Sequence, residues 1–390
     1  MKAVEIKPKI YWVGGIDWDL RYFHGYKTPR GSTYNAYLII DEKITLVDTV
    51  KSYMFEEMWE RIKTVIDPKK IDYLVVNHVE MDHSGSVKTF LEAAPQAKIV
   101  TSPMGKKGLE RHFKKEWDYL LVKSGEELSL GNRTIKFVQT PMVHWPDSMV
   151  SYIPEEKLLL PNDAFGQHIA SPERFDDELG WHIMHESAAN YYANIVLPYG
   201  DQVKKALETI NQLPIDMIAP SHGIIWRANI PKIIDAYTHW ANHETECKAL
   251  IVYDTMWGST KEIATALASG LDAAGIPVIT RSLQTSHMSE IMSDVLVSKG
   301  ILVGSSTLNN GMLPSVAGFL NYLKGLRPQK RLGFAFGSYG WGGQGAKNVQ
   351  EVLQSMGWEL PAEPINIQYV PDPAELDFVR ETGMKIGRII

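Results

Sequence analysis

The segment Asn77-His78-Val79-Glu80-Met81-Asp82-His83-Ser84-Gly85 places four potential metal ligands within six positions, directly after the apolar run Ile71-Asp72-Tyr73-Leu74-Val75-Val76. Such density is hard to explain without metal. In an extended segment His78, Glu80 and Asp82 share one side while His83 points elsewhere, so one loop can serve two neighbouring ions. Three further candidates each follow a short strand-like run: His144 in Met142-Val143-His144-Trp145-Pro146-Asp147, Asp163 in Leu160-Pro161-Asn162-Asp163-Ala164, and His222 in Ala219-Pro220-Ser221-His222-Gly223. Loops at strand ends are where a scaffold presents ligands. Taken singly, each of these three reads equally well as a polar turn residue. Beside the dense cluster, that ordinary reading loses its force.

A second group of residues suits a phosphate ester. Tyr253-Asp254-Thr255-Met256-Trp257-Gly258-Ser259-Thr260-Lys261 reads as a strand running through a hydroxyl-rich turn into a helix. Backbone amides at the start of that helix, with the hydroxyls of Thr255, Ser259 and Thr260, can bind a monophosphate without lysine or magnesium, and no Walker sequence is present. Two later stretches also follow apolar strands: Gly304-Ser305-Ser306-Thr307-Leu308-Asn309-Asn310-Gly311 and Gly337-Ser338-Tyr339-Gly340-Trp341-Gly342-Gly343. Gly342 and Gly343 permit a flat ring to approach the backbone, and Trp257, Tyr339 or Trp341 could stack on it. The first loop resembles the phosphate loop of flavodoxins. Three such loops, in order after three strands, imply FMN at a topological switch point.

These residues need scaffolds of two kinds. Ahead of the polar stretch Trp240-Ala241-Asn242-His243-Glu244-Thr245-Glu246-Cys247-Lys248, β-rich runs at 35–40, 44–48 and 134–138 mix with helical periodicity around 54–65, which suits two sheets flanked by helices. After it, buried-strand runs at 249–253, 300–304 and 331–337 alternate with helix-like segments at 261–274 and 316–323, the pattern of a parallel βαβ sheet. Residues 1–247 are expected to carry the metal ligands and residues 248–390 the flavin loops. A chain of 390 residues with 44% hydrophobic content can bury both cores. The net charge of -6 comes from interspersed signs without a basic block, so no nucleic-acid partner is expected. Cys247 is the only cysteine, which excludes an internal disulfide and any cysteine-ligated iron–sulfur or rubredoxin module; a buried, inert thiol is expected. No apolar stretch approaches membrane-spanning length and the first residues lack a signal-peptide core, so a soluble cytoplasmic protein without a membrane partner is expected.

The order His-x-Glu-x-Asp-His, then His, Asp and His at long spacings, resembles the metallo-β-lactamase superfamily with one departure. Glu80 stands where its zinc hydrolases usually carry histidine. Four imidazoles and three carboxylates make an oxygen-enriched set that suits iron, and three negative charges leave a diferrous pair nearly neutralised by a bridging hydroxide. Joined to the flavodoxin-like half, the chain resembles the flavodiiron proteins, or A-type flavoproteins, over essentially its whole length. The fold this implies is α/β, with an N-terminal metallo-β-lactamase-like αββα sandwich and a C-terminal flavodoxin-like doubly wound parallel sheet.

The resemblance also implies roles. His78, Glu80 and His144 would hold the iron nearer the flavin, Asp82, His83 and His222 the other, and Asp163 would bridge them. Members of the family differ over whether the counterpart of His83 binds iron or swings away. His24 and Tyr192 fall at family-like positions lining the gas-binding pocket. The implied activity is reduction of dioxygen to water or of nitric oxide to nitrous oxide, with FMN refilling the di-iron centre. A separate electron donor is implied, rubredoxin or alternatively a deazaflavin, since no rubredoxin segment follows Ile390. So is a homodimer, or a dimer of dimers, in which one subunit's flavin serves the other's irons. Two other readings stay open: a dinuclear zinc hydrolase of the metallo-β-lactamase superfamily with an attached FMN-binding module, and a flavin electron carrier with a vestigial metal domain. Glu80 and the flavin loops weigh against the first, the fully occupied ligand positions against the second.

Overall fold

Tyr37 and Ile39 enter one buried cluster while Leu38, between them, enters another. Val47 and Leu46, Val75 and Leu74, and Val100 and Ile99 divide in the same way. Apolar residues pointing to alternate sides at every position are what a strand covered on both faces requires. These residues lie in a seven-stranded sheet whose spatial order is Val4–Lys7, Ile10–Trp12, Tyr37–Ile39, Thr45–Val47, Tyr73–Val76, Lys98–Thr101 and Tyr119–Leu121. One face meets Ile135, Phe137, Met149, Ile153 and Leu158 of a second, five-stranded sheet. The other is covered by the helices Phe55–Lys63, Val87–Ala93 and Pro103–Phe113 through Met58, Ile62, Phe90 and Leu109. The second sheet runs Glu127–Ser129, Thr134–Gln139, Met149–Ile153, Leu158–Leu160 and Met217–Ile218. This is the expected metallo-β-lactamase-like arrangement.

The computed structural model describes residues 2–390. By contacts, the first unit runs to Tyr191 and takes in Asp201–Thr238, while Tyr192–Gly200 and His239–Ile390 form the second. In the second unit five strands lie in the order Val278–Ser282, Glu246–Tyr253, Ser298–Leu308, Leu332–Tyr339, Ile365–Gln368, all parallel. Counted along the chain this is order 2-1-3-4-5, the flavodoxin-like doubly wound sheet. The helix that follows the turn 254–258, Ser259–Ala273, meets Pro373–Gly387 backbone to backbone. A Cβ on Gly270 would lie 2.0 Å from the Arg380 carbonyl oxygen.

Two expectations need correction here. Cys247 is exposed, because it lies near the start of Glu246–Tyr253, ahead of the register shift after which Ala249 enters the core. The stretch 304–311 is mostly strand: Ser298–Leu308 continues through it, and only Asn309 and Asn310 turn, with φ of 49° and 59°. Gly311–Met312 then pairs back antiparallel, so this is a two-residue hairpin whose positive φ values suit asparagine.

Candidate metal centre and flavin cleft

The amide of Asn77 donates to Asp48 Oδ1 at 2.8 Å as the chain leaves the strand Tyr73–Val76. From Glu80 onward the geometry differs from the extended segment expected. His83 N and Ser84 N bond to the Glu80 carbonyl at 3.0 and 2.8 Å, winding Met81–Ser84 into one helical turn. Asp82 and His83 therefore come from a helix, and His78 and Glu80 from the loop before it. Asn162 Nδ2 also reaches Asp48, at 3.3 Å, and bonds Ser221 Oγ at 3.1 Å, so the loops carrying His78, Asp163 and His222, three of the four that bear candidate ligands, meet in one buried polar knot.

The structure brings all seven sequence-derived ligands together as two groups: His78, Glu80, His144 and Asp163, and Asp82, His83 and His222. His144 Nε2 lies 3.3 Å from Glu80 Oε2 and 3.3 Å from Asp163 Oδ2. On the other side, Asp163 Oδ1 stands 3.0 Å from His83 Nε2 and 3.4 Å from His222 Nε2, and His222 Nε2 is 3.1 Å from Asp82 Oδ2. One oxygen of Asp163 thus faces each group. Ligand atoms about 2.0–2.2 Å from a shared ion stand roughly 3 Å apart around it, which is the spacing found.

Iron fits these residues on chemical grounds as well. Asp82 Oδ1, Asp163 Oδ2 and both ring nitrogens of His83 are buried without a hydrogen-bond partner, and among the described residues none of the three carboxylates pairs with lysine or arginine. Burial works against charging His78, yet Asp147 and Glu80 outweigh it and push its pKa up to about 10. His144 is likewise raised to about 10, against its burial, by Asp163 and Glu80, and His83 to about 9 by Asp82 and Asp163. Without metal, protons on imidazoles offset the buried negative charge. Two cations take over that task when bound.

A layer of partners orients the ligands. His78 Nδ1 donates to Asp147 Oδ2 at 2.9 Å, which also accepts the Val79 amide at 2.8 Å, and His222 Nδ1 donates to the Thr33 carbonyl at 2.7 Å. Both contacts leave Nε2 free to ligate. His24 is held by a two-residue hairpin turn with Gly25, at φ of 48° and 88°, and its Nε2 lies 2.8 Å from Glu80 Oε1, the oxygen turned away from the metal side. Tyr192 is placed otherwise than expected. Its ring lies against Trp240 with centroids 5.2 Å apart, and its neighbour Tyr191 is the residue that reaches the centre, donating to Asp163 Oδ1 at 3.0 Å. The helix Trp181–Tyr191 passes into a wider turn at Tyr192–Val196.

In the second unit a cleft of about 650 Å³ opens at the carboxyl ends of the strands. Met256, Trp257, Ser259, Ser306, Thr307, Asn309, Asn310, Ser338, Tyr339, Gly340, Trp341 and Gly342 line it, joined by Tyr369 and Val370, which sequence reasoning missed. Thr255, Gly258, Thr260, Ser305, Leu308, Gly311 and Gly343, expected at the cofactor as well, are not among the residues that line it. Thr260 Oγ1 lies 2.9 Å from both Ser306 Oγ and Ser338 Oγ, tying the three loops together, and the Gly343 carbonyl accepts from Asn366 Nδ2 at 2.6 Å. Gly258 sits at φ 100° before the helix Ser259–Ala273, leaving that helix start open to a phosphate. Trp257 and Trp341 are 93% and 91% exposed on the cleft rim, unusual for tryptophan unless a flat ligand or partner covers them.

Comparisons with known proteins agree with this geometry. Residues 33–223 match the ODP family beta lactamase and residues 251–383 match flavodoxin. The chain is 47% identical, over 99% of its length and 98% of the relative's, to a nitric oxide reductase of Moorella thermoacetica. It is 45% identical, over 100% of its length and 98% of the relative's, to a rubredoxin-oxygen oxidoreductase of Megalodesulfovibrio gigas. Among solved structures, the rubredoxin oxygen:oxidoreductase from Desulfovibrio gigas superposes with a TM-score of 0.98 at 45% identity, covering 100% of this chain and 98% of the other. The flavodiiron protein from Giardia intestinalis gives 0.97 at 34% identity, covering 100% and 96%. The chain belongs to the flavodiiron protein family. It is an oxidoreductase that combines an FMN site with a di-iron site.

Proposed function

We propose that this chain reduces dioxygen to water, nitric oxide to nitrous oxide, or both, at two irons held by His78, Glu80, Asp82, His83, His144, Asp163 and His222. The observation that carries the reading is Asp163, whose two carboxylate oxygens each face one group of ligands. When bound, the irons and FMN supply the electrons. The protein's own residues do the rest. Glu80, Asp82 and Asp163 offset the positive charge of the irons; Asp147 and Thr33 keep His78 and His222 in the tautomer that presents Nε2. Phe23 and Tyr34, edge-on to His222 at 6.3 and 5.8 Å, give that side an apolar wall against water. His24 steadies Glu80 from outside.

Residues 1–247 would serve the irons and residues 248–390 the FMN, with the phosphate at the start of the helix Ser259–Ala273 and the flavin ring between Trp257, Tyr339 and Trp341. Rubredoxin is the proposed electron donor, with a deazaflavin as the alternative; one relative is a rubredoxin-oxygen oxidoreductase. A homodimer in which one subunit's FMN serves the partner's irons, and a cytoplasmic location, complete the proposal. No helix among the described residues is long and apolar enough to cross a membrane. The zinc-hydrolase alternative has no use for the flavin cleft and is not favoured by relatives that are oxidoreductases over their full length. Anaerobic reduction with rubredoxin or a deazaflavin, followed by dioxygen or nitric oxide, tests the reading through consumption of the gas. Absence of turnover with either gas and either donor, in protein loaded with iron and FMN, would refute it.

A further inference from the structure

We propose that Asn35 is a positioning residue for one half of the metal centre, that of Asp82, His83 and His222, and acts on it independently of the half formed by His78, Glu80 and His144. The inference rests on the reading of these side chains as iron ligands.

The loop that carries His222 has little regular structure of its own, so something else must hold it. The segment 33–37 supplies much of that hold, beside Asn162, whose carbonyl accepts from the Ser221 amide at 2.8 Å, and Gln167, whose amide donates to the His222 carbonyl at 3.2 Å. Asn35 N donates to the Ser221 carbonyl at 2.8 Å, and Asn35 Nδ2 donates to the carbonyls of Pro220 and Gly223 at 2.8 and 3.0 Å. Asn35 thereby grips the backbone on both sides of His222. Thr33 adds its carbonyl to His222 Nδ1 and its hydroxyl to the Gly223 amide, both at 2.7 Å, and Tyr37 Oη donates to the Pro220 carbonyl at 2.7 Å.

The orientation of the Asn35 amide is itself fixed. Its Oδ1 accepts from Trp12 Nε1 at 2.7 Å, and since an indole can only donate, the oxygen must face Trp12 and the NH₂ must face the loop. Trp12 is 2% exposed, with its ring between two buried arginines, Arg61 Cζ at 4.7 Å and Arg174 Cζ at 4.5 Å. The backbone after it closes on the same segment: a Cβ on Gly14 would lie 2.7 Å from Asn35 Cα. Asn35 makes no direct hydrogen bond to His78, Glu80 or His144; the outer partner of His78 is the Asp147 carboxylate and that of Glu80 is His24.

Asn35→Asp is the discriminating variant, because it nearly conserves shape and keeps the acceptor for Trp12 but turns a carboxylate oxygen toward two carbonyls. The test is anaerobic ferrous-ion titration of iron-free protein with FMN retained, followed by Mössbauer spectroscopy. His222→Ala and His144→Ala mark which signal belongs to which half. Outer partners of metal ligands typically contribute about 10–100-fold in affinity. Asn35→Asp is expected to weaken one of the two equivalents of iron about tenfold and to alter the signal that His222→Ala marks, with the other signal and the FMN content unchanged; Asp147→Asn is expected to alter the other signal. Tyr37→Phe, which removes a single hydroxyl, carries the same test in milder form should Asn35→Asp not fold. Equal weakening of both irons, or an unchanged His222-marked signal in folded variants, would overturn the inference. Wild-type protein that binds no second iron would instead overturn the di-iron reading beneath it.

Discussion

Tyr191 donates its phenol to Asp163 Oδ1 at 3.0 Å, the same oxygen that lies 3.0 Å from His83 Nε2. The phenol thus holds from outside the carboxylate proposed to bridge the two groups of ligands.

Tyr191→Phe should therefore lower iron content and turnover about tenfold, the low end for loss of a metal ligand's outer partner. Tyr192→Phe should affect both far less, since that ring lies against Trp240. Iron analysis and gas consumption on the two variants decide this; the reverse ranking would return the role to Tyr192.

His144→Ala and His222→Ala each remove a ligand from a different group and should each lose iron mainly from one site, with FMN retained. The flavin cleft is built from other residues in a unit with its own core. Wild-type iron content and turnover in both variants would count against the assignment.

Gly258→Asp places a side chain at φ 100°, which costs about 1–2 kcal/mol for residues other than glycine, and adds negative charge where the phosphate enters. FMN affinity should fall at least about tenfold while iron stays bound. Tyr369→Ala should weaken FMN as well, by opening the fourth side of the cleft. Fluorescence titration of FMN into flavin-free protein measures both, and unaltered affinity in Gly258→Asp would move the phosphate elsewhere.

Removal of iron should make stability depend on pH in a defined window. In the metal-free protein His78 and His144 are raised to about 10 and His83 to about 9, so their protonated forms stabilise the fold fully below the unfolded histidine pKa of about 6.5. That contribution is lost as pH rises through about 9–10. The melting temperature of chelator-treated protein should accordingly drop between pH 7 and pH 10 more steeply than that of the iron-loaded form, whose imidazoles are already deprotonated. Parallel curves for the two forms would show that the imidazoles carry no such protons.

The candidate metal ligands that the structure gathers into two groups were legible because four of them crowd one short segment after a strand and the others each follow a strand end. Both sheet systems were legible too: alternating and continuous apolar runs report how strands are covered. What escaped depended on geometry that no local pattern encodes. Nothing in the run Asn190-Tyr191-Tyr192-Ala193 tells which tyrosine turns inward once the helix widens. Asp147 stood in a quoted motif without a role, because its contact with His78 spans 69 positions, and Thr33 meets His222 across 189. Tyr369 and Val370 follow the short strand Ile365–Gln368, whose Ile-Asn-Ile-Gln alternation is the signal that would have placed them at the cleft. Cys247 looked buried because it adjoins a core strand, yet the strand is covered only from Ala249 onward.

The central claim is that one carboxylate, Asp163, bridges two irons in a chain that also binds FMN. Mössbauer spectroscopy of iron-loaded protein, with metal and flavin analysis of the same sample, tests it most directly. The account predicts two irons and one FMN per chain, with the irons magnetically coupled in the wild type and the coupling altered or lost in Asp163→Asn. Zinc in place of iron without flavin, or a coupled pair unchanged in Asp163→Asn, would contradict it.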